Sequence, residues 1–441
     1  MQRRVAVFIT IQLARLVSKV FCWLPANFIS KIIRWKFAKK SLGKFSSPER
    51  LRWLQNWLRK TRSSCRQKFL ANFMVNTIFV GTFKKEEVNA KEKFYPPFTI
   101  LISPSMRCNL SCKNCYANAY QRNEDLPFEI SDRIISEGKQ LGIYLYTILG
   151  GEPFLWPRLF ELFQKNSDVY FQVFTNGLLI NNSVIQKLIK TGNLFPVLSL
   201  EGFQGFTDEV RGKNVFEKVN KVMDNLRGEG IPFGVSICVT RDNMEEVTSD
   251  KFIDWTIEKG SVIDWFFLYM PVRAEPDLDK MPTPQQRLQL KERRDWIRKT
   301  RDDKIFIIDF WNDAPWVGGC IAGGREFLHI NSQGDVEPCI FQHFAVDNIK
   351  EKSLKEVLNS QLMRAIRQRQ PFDKNLYLPC MVIDHPQILR EVIKLANAQP
   401  THPGAEVIVN DGRVVNELDR YAKSVRQIYE PVLEKEVKDF S

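Results

Sequence analysis

The sequence predicts an α/β fold: a partial (β/α)6 barrel of the TIM type, preceded by an α-helical N-terminal segment and followed by a C-terminal extension. Three observations carry this. Six β-rich apolar runs, at 98–103, 144–149, 170–174, 197–200, 234–239 and 265–270, are separated by helical patterns such as 129–141 and 213–228. Strands alternating with helices imply parallel βαβ units. Small and polar residues follow these runs at their C-terminal ends, where barrels of this kind place their chemistry. The first 83 residues, finally, differ in charge from everything after them.

That difference is large. Residues 1–83 hold 17 Lys or Arg and a single acid, Glu49, a net +16, which leaves the rest at −3 of the chain's total of +13. The basic character therefore belongs to one segment, and a nucleic-acid partner for the whole chain is not expected. Phe8, Ile9, Leu13, Leu16, Val17 and Val20 recur at helical spacing, as do Leu51, Leu54, Trp57 and Leu58. Aromatics such as Trp23, Trp35, Trp53 and Trp57 are interleaved with the bases. Amphipathic helices with a basic face and an aromatic-rich face suit an anionic membrane surface. The alternatives are a helical lid on the core and an RNA contact. The apolar run from Val5 to Ala14 is too short to span a bilayer, and no small-residue cleavage site follows it.

At 441 residues, 44% hydrophobic and 26% charged, the chain has the composition of a globular protein with a large core. Nine cysteines are too few for a disulfide scaffold, and the usage suits a reducing compartment. Six stand at ligand-like positions, and Cys22, Cys65 and Cys238 are incidental.

Three of the six close the first strand-to-helix connection, in Met106-Arg107-Cys108-Asn109-Leu110-Ser111-Cys112-Lys113-Asn114-Cys115-Tyr116. Clustered thiolates are soft ligands that select zinc or iron–sulfur centres. Zinc would want a fourth side chain nearby. A [4Fe–4S] cluster on three thiolates keeps one iron open for a ligand from outside the protein. The second run stops at Gly150-Gly151-Glu152-Pro153, where paired glycines let backbone approach a ligand. Phe174-Thr175-Asn176-Gly177, Leu198-Ser199-Leu200-Glu201-Gly202 and Val235-Ser236-Ile237-Cys238-Val239-Thr240 end the third, fourth and fifth.

This C-x3-C-x2-C spacing, followed in order by the G-G-E-P and later strand-end segments over about 98–272, resembles the radical S-adenosylmethionine (SAM) superfamily. The resemblance implies that Cys108, Cys112 and Cys115 hold a catalytic [4Fe–4S] cluster whose open iron binds SAM. An electron then cleaves SAM to a 5′-deoxyadenosyl radical, which takes hydrogen from a substrate. It further implies that Gly150, Gly151 and Glu152 meet the SAM amino group, with Asn176, Ser199 and Ser236 as further SAM contacts. The chain has Asn114 where many members carry an aromatic, and Tyr116 comes after the third cysteine instead.

Met281-Pro282-Thr283 marks a break and a cap before a charged helix, 284–303. Beyond it, Cys320 leads into a hairpin turning at Gln333-Gly334, with Cys339 just after and Cys380 some 40 residues on. The Gly334-x4-Cys339 unit resembles the opening of SPASM domains, the auxiliary iron–sulfur extensions of many radical SAM enzymes. Those use seven cysteines for two clusters; Cys320, Cys339 and Cys380 can hold at most one, with a fourth ligand missing, for which His343, Asp384 and His385 are candidates and an open iron that binds substrate is the other option. Zinc remains the alternative there.

The organisation expected is a basic helical segment over 1–95, a radical SAM core over 96–305, a SPASM-like domain over 306–390 and a helical tail over 391–441. The function expected is hydrogen abstraction from a lipid or isoprenoid at the membrane surface. A peptide- or protein-modifying maturase is the alternative, and a non-catalytic iron–sulfur electron-transfer or scaffold protein the reading from another class. The expected setting is cytoplasmic, peripheral on the inner face of the membrane, with a ferredoxin or flavodoxin as reductant.

Overall fold

The computed structural model describes residues 48–439; the helical pattern of Phe8–Val20 lies outside them. One sheet runs through the core. Its strands are β1 (Thr99–Ile102), β2 (Leu145–Ile148), β3 (Tyr170–Thr175), β4 (Leu194–Leu200), β5 (Gly234–Val239), β6 (Ile263–Leu268), β7 (Phe306–Asp309), β8 (His329–Ile330) and β9 (Val336–Glu337). The spatial order is β7-β6-β5-β4-β3-β2-β1-β8-β9. β1 to β7 pair in parallel, with Thr99 opposite Leu145 and Ser199 opposite Ser236. This is a partial (β/α) barrel, and all six expected strands are present. β7 is a seventh, and it carries the sheet past position 305.

Helices return the chain between strands, and local sequence sets their starts. Asn181 accepts from Val184 N, and Ser249 from Phe252 N, each satisfying a donor the helix leaves free. Thr283 and Gln286 form a capping box at the expected break before Pro284–Thr300. On β3, β5 and β6 every second residue is fully buried, and the alternate ones, Phe174, Ser236, Cys238, Trp265 and Phe267, keep accessible surface. Phe174 reaches across two intervening strands to Trp265, with ring centroids 6.1 Å apart, so these residues face the barrel lumen. Trp265 and Phe267 stack with Phe310 to form an aromatic wall.

The N-terminal helices close the bottom of this lumen. Pro48–Lys60 buries Leu51 and Leu58, and a π-helical stretch, Phe69–Gly81, follows. Trp53 packs edge-on to Phe306, and Phe69 and Phe73 pack on Tyr170. Phe306 and Tyr170 open β7 and β3, so the contact is with the N-terminal ends of the strands. Asn72 donates to the carbonyls of Ser167 and Val169, which fixes the register of the plug. The expectation of a lipid-facing stripe fails for Trp53, Trp57, Leu51, Leu54 and Leu58. A stripe at helical spacing shows that one face is covered: Leu51, Leu54 and Leu58 pack on Leu70 and Met74 of the next helix, and Trp53 and Trp57 pack on the barrel. Among the described residues no helix is long and apolar enough to cross a membrane.

Behind the barrel, β8 pairs in parallel with β1 and in antiparallel with β9, so the expected hairpin extends the sheet. Two further short strands, β10 (Phe344–Ala345) and β11 (Gln399–Pro400), pair with each other. The last helix, Gly412–Asp439, packs Val425 and Tyr429 on Tyr377 and Leu378. A fully enclosed ion pair, Arg287 with Asp384 at 2.5 Å, ties the helix 284–300 to this region.

Candidate active site

β1 delivers the first cysteine loop to the C-terminal mouth of the barrel. The Gly-Gly turn after β2 is clipped against it: Gly151 N donates to Ser105 O at 3.0 Å and Glu152 N to Arg107 O at 2.8 Å. Gly150 has φ +116°, and a Cβ there would lie 2.1 Å from Ser105 O; one on Gly151 would lie 2.2 Å from Arg107 O. Only glycine permits this approach. Glu152 is wholly buried and accepts from Thr175 Oγ1 at 2.8 Å, Asn176 N at 2.8 Å and Phe154 N at 3.1 Å. Burial pushes its carboxyl up, and these donors oppose the shift. Its carboxylate thus locks the end of β3 to the Gly-Gly turn, and Gly150 and Gly151 offer main chain.

Cys108, Cys112 and Cys115 are free thiols with accessible surface. Burial pushes Cys112 up to about 11, against the pull of the nearby Arg211 guanidinium, and Cys115 and Cys108 push it further. Cys115 is raised for the same first reason. Three thiols within electrostatic reach of one another are a donor set that a metal centre would deprotonate on binding. Asn176 Nδ2 donates to Asn109 Oδ1 at 2.8 Å and reaches Cys108 Sγ at 3.9 Å, so it braces the loop. Ser199 and Ser236 stand side by side on β4 and β5, both half-buried.

Sequence reasoning missed Arg211. It lies at the C-terminal end of Gln204–Arg211, is paired with buried Glu201 at 2.6 Å, and its neighbour Val210 accepts from Lys113 N at 2.9 Å. Nothing in the sequence marks it, because it is one arginine of many. Tyr116 follows the third cysteine. Its ring stacks parallel to His343 at 6.3 Å and meets Phe341 edge-on, so it joins the loop to the extension. A buried network continues from there. Tyr120 OH lies 2.5 Å from both Glu337 Oε1 and His343 Nδ1, and His329 bridges Glu337 to Ser103 at 2.6 and 2.7 Å.

The second cysteine set assembles from three separate segments. Cys339 feels Cys320 and Cys380, and Cys380 feels Asp384 and Cys320. Burial pushes the Cys339 thiol well up and the Cys380 thiol to about 12. Phe341 N donates to Cys339 Sγ at 3.5 Å. Of the candidate fourth ligands, Asp384 is committed to Arg287 and to Cys380 N at 2.9 Å. His385 Nε2 pairs with Leu378 O at 2.9 Å, and His343 keeps an unpartnered Nε2. Among the described residues no three His, Cys, Asp or Glu side chains converge on a point for one ion.

A parallel barrel with a three-thiol loop at its mouth, and a second thiol set behind it, defines an iron–sulfur enzyme built to bind a small ligand at an open iron. Residues 102–253 match the radical SAM superfamily and residues 320–382 the SPASM iron–sulfur cluster-binding domain. The chain is a radical SAM enzyme with a SPASM auxiliary domain; its catalytic [4Fe–4S] cluster works with SAM, and it has an auxiliary iron–sulfur cluster. It is 28% identical to the mycofactocin maturase MftC of Mycobacterium tuberculosis over 60% of this chain and 71% of that one. It is 26% identical to the AdoMet-dependent heme synthase of Methanosarcina barkeri over 59% and 82%, and 24% identical to the PqqA peptide cyclase of Xanthomonas oryzae over 60% and 75%. Its fold is similar to that of Streptococcus suis SuiB bound to the precursor peptide SuiA, with TM-score 0.54 and 21% identity over 68% and 70% of the two chains. These relatives overturn the expected lipid or isoprenoid substrate. That reading rested on the N-terminal aromatics, and those in the described part fill the barrel floor.

Proposed function

We propose that this enzyme is a maturase that modifies a peptide or protein substrate. The observation that carries the reading is the pairing of a SAM-binding loop with a separate auxiliary thiol set, in a chain similar to a mycofactocin maturase and a peptide cyclase. When bound, the catalytic cluster supplies the electron that cleaves SAM, and the auxiliary cluster a second one-electron site. A ferredoxin or flavodoxin would serve as reductant.

The chain's own part is to hold and to shield. Cys108, Cys112 and Cys115 would ligate the catalytic cluster, with Asn176 bracing Cys108 and Arg211 offsetting the thiolate charge. Main chain at Gly150 and Gly151, with Ser199 and Ser236, would position SAM. Cys320, Cys339 and Cys380 would ligate the auxiliary cluster. Trp53, Trp57, Phe69 and Phe73 seal the floor, so substrate enters from the mouth, and the wall of Trp265, Phe267 and Phe310 excludes water from it.

The test is co-expression with each short reading frame encoded beside the gene, followed by mass spectrometry of the peptide. A mass change that needs Cys112 supports the reading. Unchanged peptides, together with consumption of an iron porphyrin by the reduced enzyme, would replace it with the chemistry of the heme synthase relative.

A further inference from the structure

At the opposite end of β1 from the cysteine loop lies a cavity of about 280 Å³. Four cations line it: Lys93, Arg325, Arg364 and Arg367. One acid, Glu326, shares it, and that carboxylate also faces buried Lys85, whose ammonium burial pulls down to about 8.

Two of the cations, Arg325 and Arg367, are fixed by neutral groups, with Glu326 the one carboxylate set against Arg325. Arg325 spends its three nitrogens on the carbonyls of Cys320, Val317 and Gly319, at 2.7 to 2.9 Å. Arg367 donates to Gly323 O at 2.9 Å and lies over the ring of Phe94 at 5.5 Å. Carbonyls and rings orient a guanidinium and leave its charge. The side chain of Arg364 has no hydrogen-bond or carboxylate partner among the described residues, and it stands one turn from Arg367 on Gln361–Arg367. The two repel: burial, and then Arg364, pull Arg367 down to about 10. Like charges held together at a cavity, with planar forks free to receive an anion, describe a site for carboxylate or phosphate.

We propose that this cavity is a docking site for an acidic segment of the peptide substrate, taking its carboxylates between Arg364 and Arg367. This rests on the peptide-modifying reading above. Two observations favour a peptide over a nucleic acid. The basic patch is local, since beyond residue 83 the chain carries a net −3 and offers no long basic track. Tyr95, 39% exposed, gives the rim an apolar contact beside the charges.

The site is remote from the chemistry. The carbonyl of Glu326 accepts from Phe98 N and Thr99 N at the entry of β1, and the cysteine loop follows its exit. Four strand residues span about 13 Å. An acidic anchor held here must therefore be separated from the reacting residue by at least roughly four extended residues. The cavity selects the peptide by a segment that the radical never touches.

The experiment is fluorescence anisotropy of labelled hexaglutamate with the full, cluster-loaded chain, comparing wild type, Arg364→Glu and Arg364→Lys. Arg364 is exposed, so neither change threatens the fold. The N-terminal bases attract the probe in all three proteins, so the readout is the difference between them. The proposal expects about tenfold weaker binding for Arg364→Glu and near wild-type binding for Arg364→Lys, a loss of about 1.4 kcal/mol. Equal binding by wild type and Arg364→Glu overturns it, as does no binding at all. Displacement of hexaglutamate by an equal concentration of inorganic phosphate makes the cavity a phosphate site and overturns the peptide assignment. Arg364-dependent binding of oligo-dT tighter than that of hexaglutamate overturns it in favour of nucleic acid. Binding needs no SAM chemistry, so the two readings fail separately: a modified co-expressed peptide with no Arg364 dependence removes this site and leaves the proposed function standing.

Discussion

The two cysteine sites solve one problem in opposite ways. The catalytic set comes from a single loop of eight residues, 108–115, held open at the barrel mouth by glycines that bring a second loop within backbone contact. The auxiliary set spans 320–380 and is gathered by tertiary structure alone. Their electrostatic surroundings also differ. Arg211 favours thiolates at the first against Glu201; at the second, Arg325 favours the Cys320 thiolate, while Asp384 opposes ionisation of Cys320 and Cys380 and Glu337 that of Cys339. A local site survives on loop geometry; a dispersed one depends on the stability of everything between its ligands.

The largest expected effect separates the sites by metal content. Replacing Cys108, Cys112 and Cys115 together by alanine should abolish deoxyadenosine formation and leave roughly half the iron in the auxiliary site. Iron analysis after anaerobic reconstitution checks it, and an iron-free triple variant would show that the auxiliary site cannot load alone.

The dispersed site should be the more sensitive to distant stability. Asp384→Ala strands Arg287 in the core and frees Cys380 N, and should cost about 3–5 kcal/mol in chemical denaturation. Replacing both partners, as Arg287→Met with Asp384→Leu, should recover most of that. If the single variant matches wild type, the pair does not organise the auxiliary region.

A third expectation concerns the barrel beneath the catalytic loop. Burial raises Asp264 to about 7, against hydrogen bonds from Ser261 and Thr256. A carboxyl whose pKa is higher folded than unfolded gives stability that is full below about pH 4 and lost as pH rises to about 7. Three pKa units correspond to about 4 kcal/mol at most. Asp264→Asn should flatten the fall in stability between those values, and an unchanged pH profile would show that Asp264 titrates normally.

The smallest effect is at the catalytic cluster itself. Asn176→Ala removes an amide donor from Cys108 Sγ. Hydrogen bonds to cluster ligands raise reduction potentials, so the catalytic potential should fall by on the order of tens of millivolts, with the auxiliary potential unmoved. Redox titration followed by electron paramagnetic resonance resolves the two, and an equal shift in both would deny that the brace is local.

The same contrast explains what the sequence made legible. The barrel was readable because β2 is a continuous apolar run and β3, β5 and β6 alternate. β7, only four residues long and five residues after a charged helix, is too short a signal. The parallel pairing of β8 with β1 is a contact across more than 200 residues that no local pattern encodes. The stripe of Leu51, Leu54, Trp57 and Leu58 announces a covered face without naming the cover, which is Leu70, Phe69 and Met74 of the next helix, with Trp57 also reaching the barrel floor. Cys108, Cys112 and Cys115 were legible through spacing; Arg211, Tyr120 and Glu337 reach their places only through folding.

The central claim is that SAM cleavage belongs to the first site and that completing the product needs both. The direct measurement is deoxyadenosine and modified peptide quantified in the same reaction for Cys339→Ala. The account predicts that this variant still forms deoxyadenosine under reducing conditions and yields no finished peptide. Finished peptide at the wild-type level would contradict it, and so would loss of deoxyadenosine from a variant that stays folded and retains its catalytic cluster.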